Sequence, residues 1–173
     1  MINKNHIETV FLKELQWIKN EELKKKVVEV WMEAAHRGKW QSLDDAPFTL
    51  LVENSGKLTD HTKRITNLAK AVYDIRNEDL NIDFLIAGAL LHDVGKLLEY
   101  EYKDGKYVKG EFGKKFRHPV SGALLAKELG LPDEVVFIIY AHSHEGDDLK
   151  RSPEAVVVNH CDFIDFEIKK SLE

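Results

Sequence analysis

The adjacent residues His92 and Asp93 carry the strongest chemical signal in this 173-residue sequence. They stand in LLHDVGK, at the end of residues 84–91, the longest apolar run of the chain. An unpaired carboxylate at the end of a buried helix costs several kcal/mol, so Asp93 needs a positive partner. Lys96, one helical turn further on, is one candidate for that partner, and a metal ion is the other.

Four other segments place a His or an Asp on or beside an apolar helix face. These residues are His61, His118, His142 and Asp162. In the first of these segments, Ile65, Leu68 and Val72 follow His61 at helical spacing, so His61 is predicted to lie on the core side. Each residue alone could have a structural role, but their joint occurrence with the His-Asp pair predicts a metal site.

The types of these ligands limit the metals that they could bind. Imidazole and carboxylate groups without thiolate suit divalent Mn, Fe, Ni, Co or Zn, and a lone cysteine, Cys161, excludes a thiolate cage. A carboxylate can bridge two ions, and Asp93 is the obvious bridge. Two ions about 4 Å apart would activate water and stabilise charge on a phosphoryl group. We therefore expect one or two divalent ions as cofactors.

The elements that must position these residues are mostly helices, which makes the expected fold class all-α. Apolar periodicity predicts helices at about 5–18, 21–37, 59–76, 82–94, 118–129, 133–142 and 153–169. Alternating aromatic and charged residues around Asp104-Gly105 predict a small β-hairpin near residues 98–112. Residues 39–58 have no clear period, and a loop of that length is a candidate lid.

The composition excludes several other classes of protein. A formal charge of −5 disfavours a non-specific nucleic-acid binder. The start, MINKNHIETVF, lacks the pattern of a signal peptide. The longest apolar run is far below the roughly 20 residues that cross a bilayer, so no membrane partner is expected. With one cysteine and no targeting segment, we expect a cytoplasmic protein.

Taken in order, the motifs resemble those of the HD-domain metal-dependent phosphohydrolases. These enzymes have a His, then His-Asp, one or two further His, and an Asp on a helical bundle. The corresponding motifs here are DHTKRI, HDVGK, HPVSG, AHSHEG and NHCDFID, between about residues 56 and 167. More narrowly, KLTDHT, IAGALLHDVGK, YAHSHEG and SPEAVVVNHCDFID are similar to the HD domain of YhaM-type 3′-to-5′ exoribonucleases. The resemblance implies an HD-domain helical bundle.

The resemblance also assigns roles to individual residues. It implies one metal held by His61, His92, Asp93 and Asp162. It implies a second metal held by Asp93, His118 and His142, with His144 as the alternative to His142. The expected catalytic residues are Asp93, Lys96 and His118. The candidate substrate-binding residues are Lys96, Arg64, His144 and Arg117.

The expected substrate is a small phosphorylated molecule, above all a nucleotide. RNA is less favoured, because the exoribonucleases have an adjacent His-His pair where this chain has His142-Ser143-His144. Those enzymes also carry an OB-type nucleic-acid-binding domain, for which we expect no room here. The sequence leaves the oligomeric state open, and a homo-oligomer is compatible with it.

The expected activity is hydrolysis of a phosphomonoester or phosphodiester bond of a nucleotide or short oligonucleotide by metal-activated water. A di-iron HD-type oxygenase and a non-catalytic metal-binding regulatory module are the two alternatives. Lys96 favours phosphate chemistry over oxygen chemistry, and the full ligand set favours an enzyme. We expect an N-terminal helical segment and loop at residues 1–55 that packs on an HD domain at residues 56–173.

Overall fold

The most apolar segment of the chain forms the helix at the centre of the molecule. In the computed structural model, which describes residues 2–172, this helix is Ile82–Leu91, and all its residues from Leu85 onward are buried. It packs against five other helices, and Asn81 caps its first turn by accepting a hydrogen bond from the Phe84 N–H at 3.1 Å. A segment that is apolar on all sides is therefore covered on all sides, as its sequence predicts.

Ten α-helices, one β-hairpin and two short 3₁₀ turns make up the described part of the chain. The helices are α1 Lys4–Val10, α2 Leu12–Leu15, α3 Glu21–Arg37, α4 Leu58–Ile75, α5 Ile82–Leu91, α6 Lys96–Glu99, α7 Glu111–Lys115, α8 His118–Glu128, α9 Asp133–Ala141 and α10 Pro153–Lys170. The strands are β1 Tyr100–Lys103 and β2 Lys106–Lys109, and the 3₁₀ turns are Leu43–Asp45 and His144–Gly146. This arrangement confirms an all-α fold with a small hairpin.

Helices α3, α4, α9 and α10 surround α5, and α8 packs against α9. The N-terminal helices join the same apolar core: Trp31 of α3 donates its indole N–H to the Leu90 carbonyl at 3.0 Å and packs against Phe11. One core cluster thus contains residues from both predicted segments, 1–55 and 56–173. The boundary between those segments stays a prediction. Within residues 2–172, no helix is long and apolar enough to span a bilayer.

Two of the predicted helices end or break earlier than expected. The helix predicted at 5–18 breaks at Phe11, whose backbone leaves the helical region (φ −110°, ψ 27°) while its ring enters the core. The helix predicted at 82–94 ends at Leu91. There the His92 Nδ1–H donates to the Ala89 carbonyl at 2.8 Å, the carbonyl that would otherwise accept from the Asp93 N–H. A side chain has therefore replaced the next backbone hydrogen bond of the helix.

The buried face of α4 also differs from its prediction. Leu68 is 37% exposed, whereas Ala69 is fully buried. The inward row of this helix runs at i+4 spacing through His61, Ile65 and Ala69, and Leu68 lies outside that row. His61 itself lies on the core side, as predicted.

The hairpin and the loop before α4 complete the described fold. Asp104 and Gly105 both have positive φ, 51° and 81°, as a two-residue hairpin turn requires. In the region predicted as a loop, residues 47–57 double back on themselves: the Phe48 N–H donates to the Gly56 carbonyl at 2.8 Å, and Pro47 pairs with Lys57. We refer to this segment as the 47–57 loop.

Candidate metal centre

The ends of several helices meet at one buried point beside α5. The residues brought there are His61 from the first turn of α4, His92 and Asp93 after α5, His118 at the start of α8, His142 after α9 and Asp162 within α10. All of the predicted metal ligands therefore lie together. His144 does not join them: its ring is exposed, and its Nδ1 lies 2.9 Å from an Asp147 oxygen. Of the two alternatives for the last histidine ligand, the structure brings His142 into the cluster.

The ligand atoms form two groups that share Asp93. In the first group, His61 Nε2 lies 3.1 Å from His92 Nε2, 3.3 Å from Asp93 Oδ2 and 3.2 Å from Asp162 Oδ1. In the second group, Asp93 Oδ1 lies 3.2 Å from His118 Nε2 and 3.6 Å from His142 Nε2. Each group uses a different oxygen of Asp93. A carboxylate placed in this way can bridge two ions.

Every histidine of the two groups is oriented by an acceptor at its other ring nitrogen. His61 Nδ1 lies 2.7 Å from Asp165 Oδ2, and His118 Nδ1 lies 2.8 Å from Glu99 Oε2. His92 and His142 point Nδ1 at backbone carbonyls, at 2.8 and 2.7 Å. A carboxylate or carbonyl can only accept, so Nδ1 carries the proton and the lone pair of Nε2 faces inward. This is the arrangement of metal-binding histidines in proteins.

Some of the inward-facing atoms therefore lack donors. Three buried side-chain atoms of residues 2–172 have no hydrogen-bond partner: Asp93 Oδ1 and His142 Nε2 in the cluster, and Glu145 Oε2 outside the two ligand groups. Buried acceptors without a donor are costly, and a cation among them would satisfy lone pairs and carboxylate charges together. The ligand atoms of each group lie within 4.8 Å of one another, and the set of imidazoles and carboxylates fits a divalent metal ion.

The pKa values show that the first ligand group favours positive charge. Burial disfavours the charged form of His61, but hydrogen bonds to Asp162, Asp165 and Asp93 outweigh burial and raise the pKa of His61 to about 9. Burial also opposes ionisation of Asp162, yet the hydrogen bond to His61 lowers its pKa to about 2. Burial dominates at His118 and lowers its pKa to about 4. Without a metal ion, a proton on His61 supplies part of the missing positive charge.

Lys96 is the other positive partner of the buried Asp93. Its Nζ lies 2.5 Å from Asp93 Oδ2 and 4.8 Å from the centre of the Phe48 ring. Burial alone would raise the pKa of the Asp93 carboxyl, but Lys96 and His92 hold it well below its usual range. Phe48, from the 47–57 loop, stacks on the His61 ring with 3.7 Å between centroids. Both partners proposed for Asp93 from the sequence, a lysine and a metal, are thus compatible with the site.

A cavity of about 190 Å³ opens beside the ligand cluster, and both Asp162 of the first group and His118 of the second line it. Lys96, Arg117, His118 and His144 line it, together with residues of the 47–57 loop and α10. Arg64 is not among the lining residues. Its guanidinium donates to both oxygens of Asp165, at 2.6 and 2.8 Å, on the far side of His61. Three of the four candidate substrate-binding residues therefore face the cavity.

The sequence motifs do not indicate Asp165 and Glu99, the carboxylates behind His61 and His118. In the structure Glu99 is almost fully buried, accepts from the His118 N–H at 2.6 Å and pairs with Lys109 at 2.8 Å. The spacing Asp-x-x-Asp in α10 was the available signal for Asp165. For Glu99 the sequence offers one local signal, which is that this acid directly follows the apolar pair Leu97-Leu98.

Comparisons with known proteins agree with this geometry. Residues 58–166 match the HD domain family. A dihydroneopterin 2′,3′-cyclic phosphate phosphodiesterase of Methanocaldococcus jannaschii is 33% identical over 172 aligned residues, and the match covers 91% of this chain and 68% of that protein. A ribonuclease Y of Fervidobacterium nodosum is 34% identical over 85 residues, 49% of this chain and 14% of that protein.

A tRNA (cytidine(56)-2′-O)-methyltransferase of Thermoplasma volcanium is 34% identical over 92 residues, 53% of this chain and 22% of that protein. This chain thus spans only a small part of the ribonuclease and of the methyltransferase. No solved structure matches the chain. The family match covers well over half of the chain, and it contains every residue of the two ligand groups. The chain therefore belongs to the HD domain family of metal-dependent phosphohydrolases.

Proposed function

We propose that this chain hydrolyses a phosphodiester bond in a small nucleotide-like molecule, with a five-membered cyclic phosphate as the first candidate substrate. The observation that carries the proposal is the pair of ligand groups that share Asp93 and border a small cavity. The phosphodiesterase relative, whose name gives a 2′,3′-cyclic phosphate as its substrate, supports the same class of bond.

The residues proposed to hold metal are those of the two groups. His61, His92, Asp93 and Asp162 would hold one ion, and Asp93, His118 and His142 a second. Divalent ions in these positions would supply a nucleophile by lowering the pKa of water and would stabilise negative charge on the phosphoryl oxygens. His118 was also expected to act in catalysis. Because both of its ring nitrogens face carboxylates, at 2.8 and 3.2 Å, we assign it to metal binding.

The other residues of the cavity would bind and orient the phosphate. Lys96 is a compact cation at the inner end of the cavity, and Arg117 contributes a guanidinium at its side. Phe48 covers the His61 ring and excludes water from that side of the ligand cluster. His144 lines the cavity without belonging to either ligand group, and we retain it as a substrate-binding residue.

The size of the cavity favours a small substrate over a polynucleotide. Sites for small molecules usually enclose roughly 300–1,000 Å³. A cavity of about 190 Å³ lies below that range and would hold one compact phosphorylated molecule. For this reason we propose a cyclic phosphate, and not an RNA strand, as the first candidate substrate.

Metal add-back tests the proposal. The protein is stripped with a chelator, and turnover of adenosine 2′,3′-cyclic phosphate, p-nitrophenyl phosphate and a short RNA is measured with and without Mn²⁺, Co²⁺, Ni²⁺, Fe²⁺ or Zn²⁺. We expect metal-dependent hydrolysis of the cyclic phosphodiester above the other two, at equal rates with and without oxygen. The proposal would be rejected if none of the three compounds were hydrolysed, or if turnover required oxygen.

A further inference from the structure

The residues that line the cavity are of two chemical kinds. Leu50 and Leu51 of the 47–57 loop and Phe163 and Phe166 of α10 are apolar, and we call them the apolar wall. These side chains carry no hydrogen-bonding atoms. The apolar wall therefore cannot recognise sugar hydroxyls or a second phosphate, and what it can contact favourably is an apolar surface.

The cations that line the cavity already have acidic partners. Lys109 pairs with Glu99 at 2.8 Å, Arg117 with Glu145 at 2.8 Å, and Lys96 with Asp93 at 2.5 Å. Among the described residues that line the cavity, no lysine or arginine is left without an acid. The proposed function assigns Lys96 and Arg117 to one phosphate, and Lys109 is held by Glu99, so no cation of the described cavity lining remains for a second phosphate.

Two members of the apolar wall have features that suit the binding of a flat ring. Phe163 follows Asp162 directly in α10, and the His144 ring meets its ring edge to face, with 5.8 Å between centroids and 79° between planes. Leu51, at the tip of the 47–57 loop, is 79% exposed although it lines the cavity. A flat ring between Leu51 and Phe163 would cover the exposed leucine and stack on the phenyl group.

The 47–57 loop is held in position to form this wall. Ser55 Oγ donates to the Thr49 carbonyl at 2.9 Å, and the Leu51 N–H donates to Thr49 Oγ1 at 3.2 Å. The tip of the loop is thus held by hydrogen bonds within the loop itself.

We propose that the apolar wall binds a planar heterocycle of the substrate, a nucleobase or a pteridine, between Leu51 and Phe163, while its single phosphate lies beside Lys96. This inference rests on the proposed function for the place of the phosphate, but the ring site is independent of turnover. Stacking on an aromatic side chain is tolerant of ring type, so the class is a flat heterocycle and not one particular base.

Two cyclic phosphodiesters that differ in the ring test this inference. Adenosine 2′,3′-cyclic phosphate and glycerol 1,2-cyclic phosphate contain the same five-membered phosphodiester, and only the first carries a heterocycle. For Phe163→Ala we expect a loss of about 10-fold or more in kcat/KM on the adenosine compound, mainly through KM, and a change below about twofold on the glycerol compound. Ile164→Ala, an exposed neighbour in α10 that does not line the cavity, is the control and should change neither.

Phe163→Leu keeps the apolar volume without the ring and provides the test if the alanine variant does not fold. Equal losses on both substrates, or no loss on either, would overturn the inference. Binding of adenosine alone, followed by saturation-transfer NMR of its ring protons, separates the two proposals. Saturation transfer to the adenosine ring protons that is seen with the wild type and lost in Phe163→Leu would support the ring site, even where neither phosphodiester is hydrolysed. The absence of saturation transfer with the wild type would overturn the ring site.

Discussion

At the scale of single residues, the two ligand groups are built alike. Each contains one histidine backed by a carboxylate, His61 by Asp165 and His118 by Glu99. Each also contains one histidine backed by a backbone carbonyl, His92 by Ala89 and His142 by Ile139. A carboxylate at Nδ1 raises the basicity of the ligand nitrogen, whereas a carbonyl mainly fixes the ring. The carboxylate partners should therefore affect metal affinity directly.

Asp165→Asn tests the carboxylate behind His61. Loss of the negative charge should weaken Mn²⁺ binding to the first group about 10- to 100-fold, measured by isothermal titration calorimetry on metal-free protein. Glu167→Gln, an exposed acid two residues further along α10, is the matched control and should bind Mn²⁺ like the wild type. Equal affinity of Asp165→Asn and the wild type would show that Asp165 does not support the ligand.

Arg64 was predicted from the sequence to contact substrate, but its guanidinium is directed at Asp165. Arg64→Ala should therefore lower the affinity for metal and leave KM at saturating metal unchanged. Calorimetry and steady-state kinetics on the same preparation measure both quantities. A raised KM with unaltered metal affinity would instead support the direct phosphate contact.

The ligands could be proposed from the sequence because their types, order and helical positions together form a recognisable pattern. Their supporting residues could not, since Asp165 lies 104 residues from His61 and Glu99 lies 19 residues from His118. Contacts over such separations depend on how α4, α6, α8 and α10 pack. Periodicity within one helix does not determine that packing.

At the scale of elements, every ligand except Asp162 lies at or beside the end of a helix. Helices α5 and α9 both end where the Nδ1–H of a ligand histidine donates a hydrogen bond to a backbone carbonyl of the last turn. The long amphipathic helices were predicted to within a few residues because their apolar periods are clear. Helix α7 was missed because its five residues, EFGKK, are too few to show a period.

Close packing between the turn after α5 and the start of α8 holds His118 beside Asp93. A Cβ at Gly95 would lie 2.1 Å from the His118 carbonyl oxygen and 2.7 Å from the Gly122 nitrogen, both backbone atoms. Gly95→Ala should therefore push α8 away and lower the free energy of unfolding by about 1–3 kcal/mol, measured by urea denaturation.

Gly110→Ala is a suitable comparison for Gly95→Ala. A Cβ at that position meets only the flexible side chain of Glu101, at 2.9 Å from its Oε2. Gly110→Ala should therefore lower the free energy of unfolding clearly less than Gly95→Ala. Equal stability of Gly95→Ala and the wild type would mean that the turn and α8 are not held as closely as the structure shows.

At the scale of the whole molecule, the candidate metal centre joins helices that are distant in sequence. Its ligands come from α4, the turn after α5, α8, the end of α9 and α10. The N-terminal helices support this arrangement from the other side of α5, through the shared core around Trp31 and Leu90. A cation at the centre would therefore bind the folded chain and not the unfolded one.

Metal should accordingly stabilise the whole fold. Free Mn²⁺ at 100 times its Kd should add about 2.7 kcal/mol to the free energy of unfolding, which corresponds to a rise in Tm of about 5–10 °C for a chain of this size. Thermal unfolding followed by circular dichroism, with Mn²⁺ and with excess chelator, measures the shift. An identical Tm under the two conditions would contradict a metal site that spans the bundle.

The most direct test of the central claim is the rate at which Asp93→Ala hydrolyses adenosine 2′,3′-cyclic phosphate at saturating Mn²⁺. Asp93 is the residue that both ligand groups share, so its removal should disrupt the two groups together. We predict that the wild type hydrolyses the compound in a metal-dependent manner and that Asp93→Ala falls to the background rate while remaining folded. An Asp93→Ala variant that keeps full activity would contradict the claim.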